Sequence, residues 1–127
     1  MAISPLIIES SEVTPDVILD KDTNAFFIKG KSLPENPISF YRPVLEWIDE
    51  YATQPNPTTE INFKMIYFNT SSSKVFLDIM KKFEAIDRGG SKCVINWYYK
   101  EDDEEMLEAG EIYAERVNLP FNLYVEQ

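Results

Sequence analysis

The strongest constraint on the fold of this chain is a stretch where the period of the apolar residues changes from that of a strand to that of a helix. Between residues 61 and 68 apolar side chains alternate with their neighbours, which predicts a buried strand. Between residues 75 and 86 they recur at steps of three and four, which predicts an amphipathic helix. The residues that carry the two patterns are Ile61, Phe63, Met65 and Tyr67, then Val75, Phe76, Ile79, Met80, Phe83 and Ile86.

The turn between this strand and this helix is rich in hydroxyl groups. Asn69 is followed by Thr70 and then by three serines at positions 71–73, with Lys74 one turn further on. Asn69 or Thr70 can cap the helix by accepting a hydrogen bond from one of its unpaired N–H groups. One cap needs one side chain, so the remaining hydroxyls indicate a function beyond capping.

The part of the chain before this stretch predicts a hairpin, a stiff loop and a helix. Residues 1–14 predict a loose or edge-strand lead-in, and two short apolar runs at residues 17–19 and 25–31 surround a polar spacer that favours a hairpin. Two prolines and a glycine in residues 30–37 predict a loop without regular structure. The next helix should begin between residues 36 and 40, with one apolar face made by Phe40, Val44, Trp47, Ile48 and Tyr51.

The part of the chain after the central helix predicts a strand, a helix and a final strand. Residues 93–99 predict a buried strand and residues 121–125 a short terminal one. Asp102 with Glu105 forms a variant of the capping box for the helix between these strands. The face of that helix consists of Met106, Gly110, Tyr113 and Val117.

This order of elements predicts an α/β fold with a mixed, mostly parallel sheet, an N-terminal hairpin and about three helices. We expect a single domain over residues 15–127, preceded by the lead-in of residues 1–14. In such sheets the functional loops gather beyond the carboxyl ends of parallel strands. Thr70 and the acidic residues 101–105 both follow such strands, so we expect them at the same edge of the sheet.

Charge and composition exclude several functional classes. The chain has 127 residues with 12 Lys and Arg against 22 Asp and Glu, and this net charge of −10 disfavours nucleic acid and anionic membranes as partners. It has no histidine, which removes the commonest general base and imidazole metal ligands. Its single Cys93 excludes an intrachain disulfide. We therefore predict a soluble, cytoplasmic protein that is not an enzyme and that uses no metal and no cofactor.

At this level of detail the chain resembles the SiaC-like family of bacterial regulatory phosphoproteins, from about residue 15 to residue 121. The segments that carry the resemblance are GKSLPENP at 30–37, Phe40 with Tyr41, Trp47, YFNTSSSK at 67–74, WYY at 97–99 and DDE at 102–104. The resemblance implies a STAS-like domain similar to anti-sigma factor antagonists. It also implies a non-catalytic partner switch that a Ser/Thr protein kinase phosphorylates and a PP2C-type phosphatase restores. The unmodified form would bind an output protein, such as a diguanylate cyclase in cyclic-di-GMP and biofilm signalling.

The resemblance places the phosphoacceptor on Thr70, with Ser71 and Ser72 as alternatives. A phosphate there would lie at the positive end of the helix dipole, and Lys74 could stabilise it across one helical turn. The residues that we expect to contact partners are Glu35, Asn36, Asn69, Ser71, Asp102 and Asp103.

Each of these features has a simpler structural interpretation, and two other functions stay open. The hydroxyl cluster could be a capping turn, Asn36 could merely cap the following helix, and the acidic run could be a solvated helix start. The output could be a sigma-factor antagonist complex. Ser71 and Lys74 also satisfy the Ser-x-x-Lys pattern of some hydrolases, although the partner motifs of those enzymes are absent.

Overall fold

The computed structural model describes residues 3–126, which form one six-stranded sheet and three helices. The elements in chain order are β1 (Leu6–Ile8), β2 (Asp16–Asp20), β3 (Ala25–Ser32), α1 (Pro37–Tyr51), β4 (Thr58–Phe68), α2 (Thr70–Arg88), β5 (Lys92–Lys100), α3 (Glu104–Arg116) and β6 (Phe121–Glu126).

The six strands lie side by side in the order in which they occur in the chain. β1, β2 and β3 pair antiparallel, whereas the pairs from β3 to β6 are parallel. The polar spacer forms the turn of the β2–β3 hairpin, where Asn24 takes a positive φ of 57° that asparagine tolerates well. The predicted α/β class, the mostly parallel mixed sheet, the N-terminal hairpin and the three helices are all confirmed.

All three helices lie on the same face of the sheet. The crossovers β3–α1–β4, β4–α2–β5 and β5–α3–β6 each step to the next strand in one direction, and right-handed crossovers that do so place their helices on a common face. The core lies between this face and the helices, and it includes all six residues predicted for the apolar face of α2. Gly110 allows α3 to approach the sheet closely, because a Cβ there would come within 2.5 Å of Trp97 and 2.6 Å of Leu123.

The other face of the sheet carries no helix and is largely polar. On β4 its residues are Glu60, Asn62 and Lys64, which alternate with the buried Ile61 and Phe63. Asn96 of β5 donates a hydrogen bond to Asn62 (3.1 Å), and Asn122 of β6 donates one to Asn96 (3.0 Å). These amide side chains satisfy one another across three strands, which explains why a polar residue such as Asn96 can be almost fully buried.

A β-bulge at the end of β4 changes which side chains are buried there. Gly30 of β3 pairs with Met65, but the next residue, Lys31, pairs with Tyr67, so Ile66 is an extra residue on β4. An extra residue reverses the alternation of side chains that follow it. The prediction that Tyr67 is buried is therefore wrong: Tyr67 is exposed, and Phe68 packs instead against Phe76 and Trp97.

Two further expectations differ from the structure, and a third, which left two forms open, is decided by it. Residues 30–32 belong to β3 rather than to the loop, since the positive φ of Gly30 (115°) accommodates the bulge without ending the strand. Of the two forms expected for the lead-in, the edge strand is present, as β1. The cap of α3 is Asp103 and not Asp102, because the turn from Lys100 places Asp103 where its carboxylate accepts a hydrogen bond from the N–H of Met106 (3.0 Å).

The apolar face of α1 also differs by one residue from the prediction. Phe40 is only half-buried, whereas Tyr41 is fully buried beside Val44, Trp47 and Ile48. The ring of Phe40 packs edge-on against the ring of Tyr41, with 4.8 Å between their centroids. The helix is therefore rotated slightly from the expected orientation, which brings the hydroxyl of Tyr41 toward β3.

A candidate phosphorylation and partner-binding rim

The carboxyl ends of β3, β4 and β5 meet at one edge of the sheet and form what we call the rim: residues 33–36, 66–71 and 101–103. The loops after β3 and β4 are joined by a hydrogen bond from the N–H of Asn69 to the carbonyl of Ser32 (3.1 Å). The end of β4 and the start of α3 line one shallow groove, to which Tyr67, Asp103 and Glu105 contribute. The expectation that the hydroxyl-rich turn and the acidic run share one edge is confirmed.

Asn69 is the residue that caps α2. Its side-chain oxygen accepts a hydrogen bond from the N–H of Ser72 (2.8 Å), and Thr70 is the first residue of the helix. The N–H groups of Thr70 and Ser71 have no partner within the helix, because these groups point out of its amino end. Both side chains are exposed. Two hydroxyls therefore stand free at the positive end of a 19-residue helix.

Ser72 differs completely from Thr70 although only two positions separate them. It is fully buried, and its hydroxyl donates to the carbonyl of Ser32 (3.1 Å) while it accepts from the hydroxyl of Ser32 (2.8 Å). Because the proton of Ser32 is used in this way, the hydroxyl of Tyr41 is the donor in the 2.5 Å contact between Tyr41 and Ser32. Burial raises the pKa of Tyr41 well above its ordinary value, although its hydrogen bond with Ser32 opposes the shift. This chain of three hydroxyls joins α1, β3 and α2.

Ser73 makes a second connection, to α3. The hydroxyl of Tyr113 donates to the carbonyl of Ser73 (2.8 Å), so the hydroxyl of Ser73 is the donor to the oxygen of Tyr113 (2.8 Å). Burial raises the pKa of Tyr113 to about 12, although its hydrogen bond with Ser73 and the charge of Arg116 oppose the shift. The first turn of α2 is thus held from both sides, and only Thr70 and Ser71 remain available at its surface.

Exposed apolar side chains lie around this turn, and the sequence patterns did not predict them as functional. Ile66 and Tyr67 are 57% and 52% exposed because of the bulge, and Ile38 at the start of α1 is 69% exposed. Val13 joins them, since its carbonyl accepts a hydrogen bond from the N–H of Leu33. Clustered exposed apolar residues mark protein-binding surfaces. The unbroken apolar run of residues 65–68, which breaks strict alternation, was the one signal in the sequence.

The structure places the other predicted site residues at or near the rim. Glu35 and Asp102 are exposed, and Asn36 caps α1 by accepting from the N–H of Ser39 (3.1 Å), as its simpler interpretation expected. Asp103 caps α3 and is partly buried. Lys74 is exposed and lines a groove between α2 and α3 together with Arg116. Its position one turn after Thr70 puts both residues on the same side of α2.

A six-stranded sheet with helices on one face and an apolar, hydroxyl-bearing rim defines a class of small α/β domains that present a surface for another protein. Within that class, this chain belongs to the SiaC family of regulatory phosphoproteins, since the model of that family matches residues 8–126. The family resemblance predicted from the sequence is confirmed.

The most informative relatives come from Pseudomonas aeruginosa. A protein of strain UCBPP-PA14 described as uncharacterized is 28% identical over 118 residues, which cover 93% of this chain and 94% of that protein. The crystal structure of apo-SiaC has a TM-score of 0.88 at 27% identity and covers 97% of this chain and 100% of that one. A structure of the diguanylate cyclase SiaD in complex with its activator SiaC also matches, with a TM-score of 0.88, 26% identity and coverage of 95% of this chain and 99% of that chain.

Within residues 3–126 no helix is both long enough and apolar enough to cross a membrane.

Proposed function

We propose that this protein is a non-catalytic partner switch of the cytoplasm, in which phosphorylation of Thr70 turns off binding of an output protein at the rim. A cognate Ser/Thr protein kinase adds the phosphate and a PP2C-type phosphatase removes it. The observation that carries the proposal is the position of Thr70: an exposed hydroxyl at the first residue of α2, which follows the exposed Ile66 and Tyr67 at the end of β4.

The amino end of α2 can accept a phosphate without unfolding. A phosphothreonine adds about −1.5 to −2 charges at neutral pH, and the helix dipole favours negative charge at this end by about 0.3–1 kcal/mol. The first turn of α2 contains no acidic residue that would repel it. The unpaired N–H groups of residues 70 and 71 and the ammonium of Lys74 are the groups that we expect to stabilise the phosphate.

The same phosphate would oppose binding of a partner. An output protein that covers Ile66 and Tyr67 must also remove water from residue 70, and burying a charged group costs several kcal/mol unless the partner supplies a cation. The carboxylates of Asp102 and Asp103, across the rim, add a local repulsion that is screened over about 8 Å at physiological salt. Phosphorylation therefore changes affinity strongly while it leaves the fold intact.

A diguanylate cyclase is the output protein that we favour. SiaC of Pseudomonas aeruginosa, which this chain resembles in fold and sequence, is the activator of the diguanylate cyclase SiaD in the structure of their complex. This relation supports a role for the present chain in cyclic-di-GMP signalling over the sigma-factor alternative. The contacts would come from the apolar residues of the rim together with Glu35, Asn69 and Ser71.

Site-directed variants of the two exposed hydroxyls test the proposal. Thr70→Ala should refuse phosphate from the cognate kinase and bind the output protein constitutively, whereas Thr70→Glu should bind it at least tenfold more weakly. Intact-mass and fragment spectra after kinase treatment locate the phosphate, and titration calorimetry measures binding.

Ser71→Ala is the matched control, because Ser71 is the other exposed hydroxyl of the same turn. It should be phosphorylated as the wild-type protein is, and the loss of one contact at the partner surface should weaken binding far less than Thr70→Glu does. If Ser71→Ala loses the phosphate while Thr70→Ala keeps it, the acceptor is Ser71 and the assignment to Thr70 is wrong. Glu35→Ala should weaken output binding with little change in melting temperature; a loss of stability with unchanged binding would assign Glu35 to the fold.

A further inference from the structure

The helix-free face of the sheet contains a cleft with an unusual concentration of positive charge. Four lysines line it, and they come from three adjacent parallel strands: Lys29, Lys31, Lys64 and Lys100. These are four of the 12 Lys and Arg residues in a chain whose net charge is −10. A protein of this composition would be expected to spread its few cations among its many carboxylates, so this grouping requires an explanation.

None of these four ammonium groups forms an ion pair within the described residues. In the part of the chain that the structure describes, the ion pairs involve Lys81, Lys82 and Arg88, all on α2. Lys64 instead lies over the ring of Tyr98, at 4.7 Å from its centroid, which holds this ammonium in place without neutralising it. Two of the four lysines nevertheless have a carboxylate beside them, since Asp16 lies opposite Lys29 on β2 and Glu126 lies opposite Lys100 on β6. The cations that remain for an anion from outside are chiefly Lys31 and Lys64.

Three carboxylates also line the cleft, and they leave it with a small net positive charge. They belong to Glu12, Asp16 and Glu126. Asp16 accepts a hydrogen bond from the N–H of Ser10 (2.8 Å) and so has a structural role. Glu126 is the strand neighbour of Lys100, and together with Glu12 it limits how strongly an anion can bind.

One wall of the cleft is a preformed loop. The hydroxyl of Ser11 accepts hydrogen bonds from the N–H groups of Val13 (3.2 Å) and Thr14 (3.1 Å), which fixes residues 11–14 as a tight turn. The N–H of Leu33 bonds to the carbonyl of Val13 and so joins this turn to the rim. Ile66 lines both the cleft and the groove of the rim, so the two surfaces are continuous.

The spacing of the lysines indicates the shape of the anion. Neighbouring strands lie about 4.8 Å apart, so the side chains of β3 and β5 are separated by about 10 Å across the sheet. Lysine side chains are long and flexible, so two of them can reach one phosphate across this distance, but a small anion leaves the other lysines without a partner. An extended peptide with several carboxylates can contact more of the four at once, because its alternate side chains repeat about every 6.6–7 Å. A duplex nucleic acid is disfavoured by the overall charge of −10.

We propose that this cleft is a second interaction surface, which binds a carboxylate-rich extended segment of a protein partner. The surface is distinct from Thr70 and lies on the opposite face of the sheet from α2. A partner that covers the apolar rim can continue across Ile66 and place an acidic segment against the lysines. Binding of the segment by itself does not depend on phosphorylation.

Charge-reversal variants with a matched control test this assignment. The probe is a fluorescein-labelled peptide of about eight residues in which Glu alternates with Ser, measured by fluorescence anisotropy at about 50 mM salt. Lys31→Glu with Lys100→Glu should weaken binding by roughly tenfold or more, since two attractive contacts become repulsive. Arg42→Glu with Lys92→Glu makes the same change in net charge at exposed positions outside the cleft and should change affinity by less than about twofold.

Removal of negative charge from the cleft should have the opposite effect. Glu12→Gln with Glu126→Gln removes two carboxylates from its lining and should raise the affinity for the peptide. Thr70→Ala should bind the peptide as the wild-type protein does, which separates this result from the switch at the rim. Equal losses in the cleft and control variants, or no binding by the wild-type protein, would overturn the proposal. So would displacement of the peptide by sodium pyrophosphate more effectively than by sodium sulfate at equal ionic strength, because that result identifies a small-anion site.

Discussion

The amino ends of α2 and α3 lie at the same rim and are built from different chemistry. Each helix begins with an amide or carboxylate cap, Asn69 for α2 and Asp103 for α3. The first turn of α3 then carries Glu104 and Glu105, whereas the first turn of α2 carries only neutral hydroxyls and is followed by Lys74. Negative charge at a helix start is favourable. The amino end of α3 carries such charge permanently, whereas that of α2 can gain it only by phosphorylation. This difference makes the start of α2 a place where charge can be switched.

The four hydroxyl residues at the start of α2 form two pairs, one exposed and one hydrogen-bonded inside the protein. Thr70 and Ser71 face solvent, while Ser72 and Ser73 are hydrogen-bonded to Ser32 and to Tyr113. The hydrogen bonds of Ser72 and Ser73 fix the turn, and this turn holds Thr70 and Ser71 at the surface. Charge should therefore be tolerated at the first two positions and rejected at the third.

The largest effect that we predict is the contrast between Ser72→Glu and Thr70→Glu. The first variant places an unpaired carboxylate in a fully buried site and should cost about 3–5 kcal/mol, or on the order of 15 °C in melting temperature. The second places a carboxylate on the exposed amino end and should leave stability unchanged or raise it by about 0.3–1 kcal/mol. Differential scanning calorimetry measures both. Equal melting temperatures for the two variants would show that the hydroxyls of the turn are not divided in this way.

These two positions also show what the sequence could and could not predict. The helix and its buried face follow from local periodicity, so all six predicted apolar residues of α2 were correct. Which serine is buried depends on Ser32 and Tyr41, which are 40 and 31 positions away and meet Ser72 only after the sheet has formed. The exposure of Tyr67 has the same origin, because a bulge depends on the register between β3 and β4. The cleft on the helix-free face combines the registers of several strands and was therefore not predicted at all.

The second prediction concerns the hydroxyl that joins α2 to α3. Tyr113→Phe removes the donor to the carbonyl of Ser73 and the acceptor for its hydroxyl, and it should lower the free energy of unfolding by about 1 kcal/mol. Urea denaturation followed by tryptophan fluorescence measures the change. Tyr124→Phe is the control, because that ring is 44% exposed on β6 and should give a stability close to that of the wild-type protein. A loss no larger than that of the control would mean that α3 does not hold the first turn of α2.

The smallest effect is expected near the carboxyl end of α2, where the carboxylate of Glu84 is part of the folded structure. Glu84 accepts hydrogen bonds from the N–H of Asn118 (2.6 Å) and from Arg88 (2.9 Å), so it ties the end of α2 to the segment after α3. The hydrogen bond from Asn118 lowers the pKa of Glu84 below its ordinary value of 4.5, and the charge of Lys81 lowers it further. Glu84→Gln keeps an acceptor for Asn118 and loses only the charge, which is why its effect should be small.

The pH dependence of that variant distinguishes charge from shape. A carboxylate whose pKa is lowered by folding stabilises the protein fully above its unfolded pKa of about 4.5, and this contribution is lost as the pH falls through the lower folded value. The difference in melting temperature between the wild-type protein and Glu84→Gln should therefore be largest near neutral pH and should close as the pH falls below 4.5. Glu115→Gln, an exposed change of the same kind on α3, is the matched control. A difference that persists unchanged at low pH would mean that Glu84 stabilises the protein through its shape and hydrogen bonds and not through its charge.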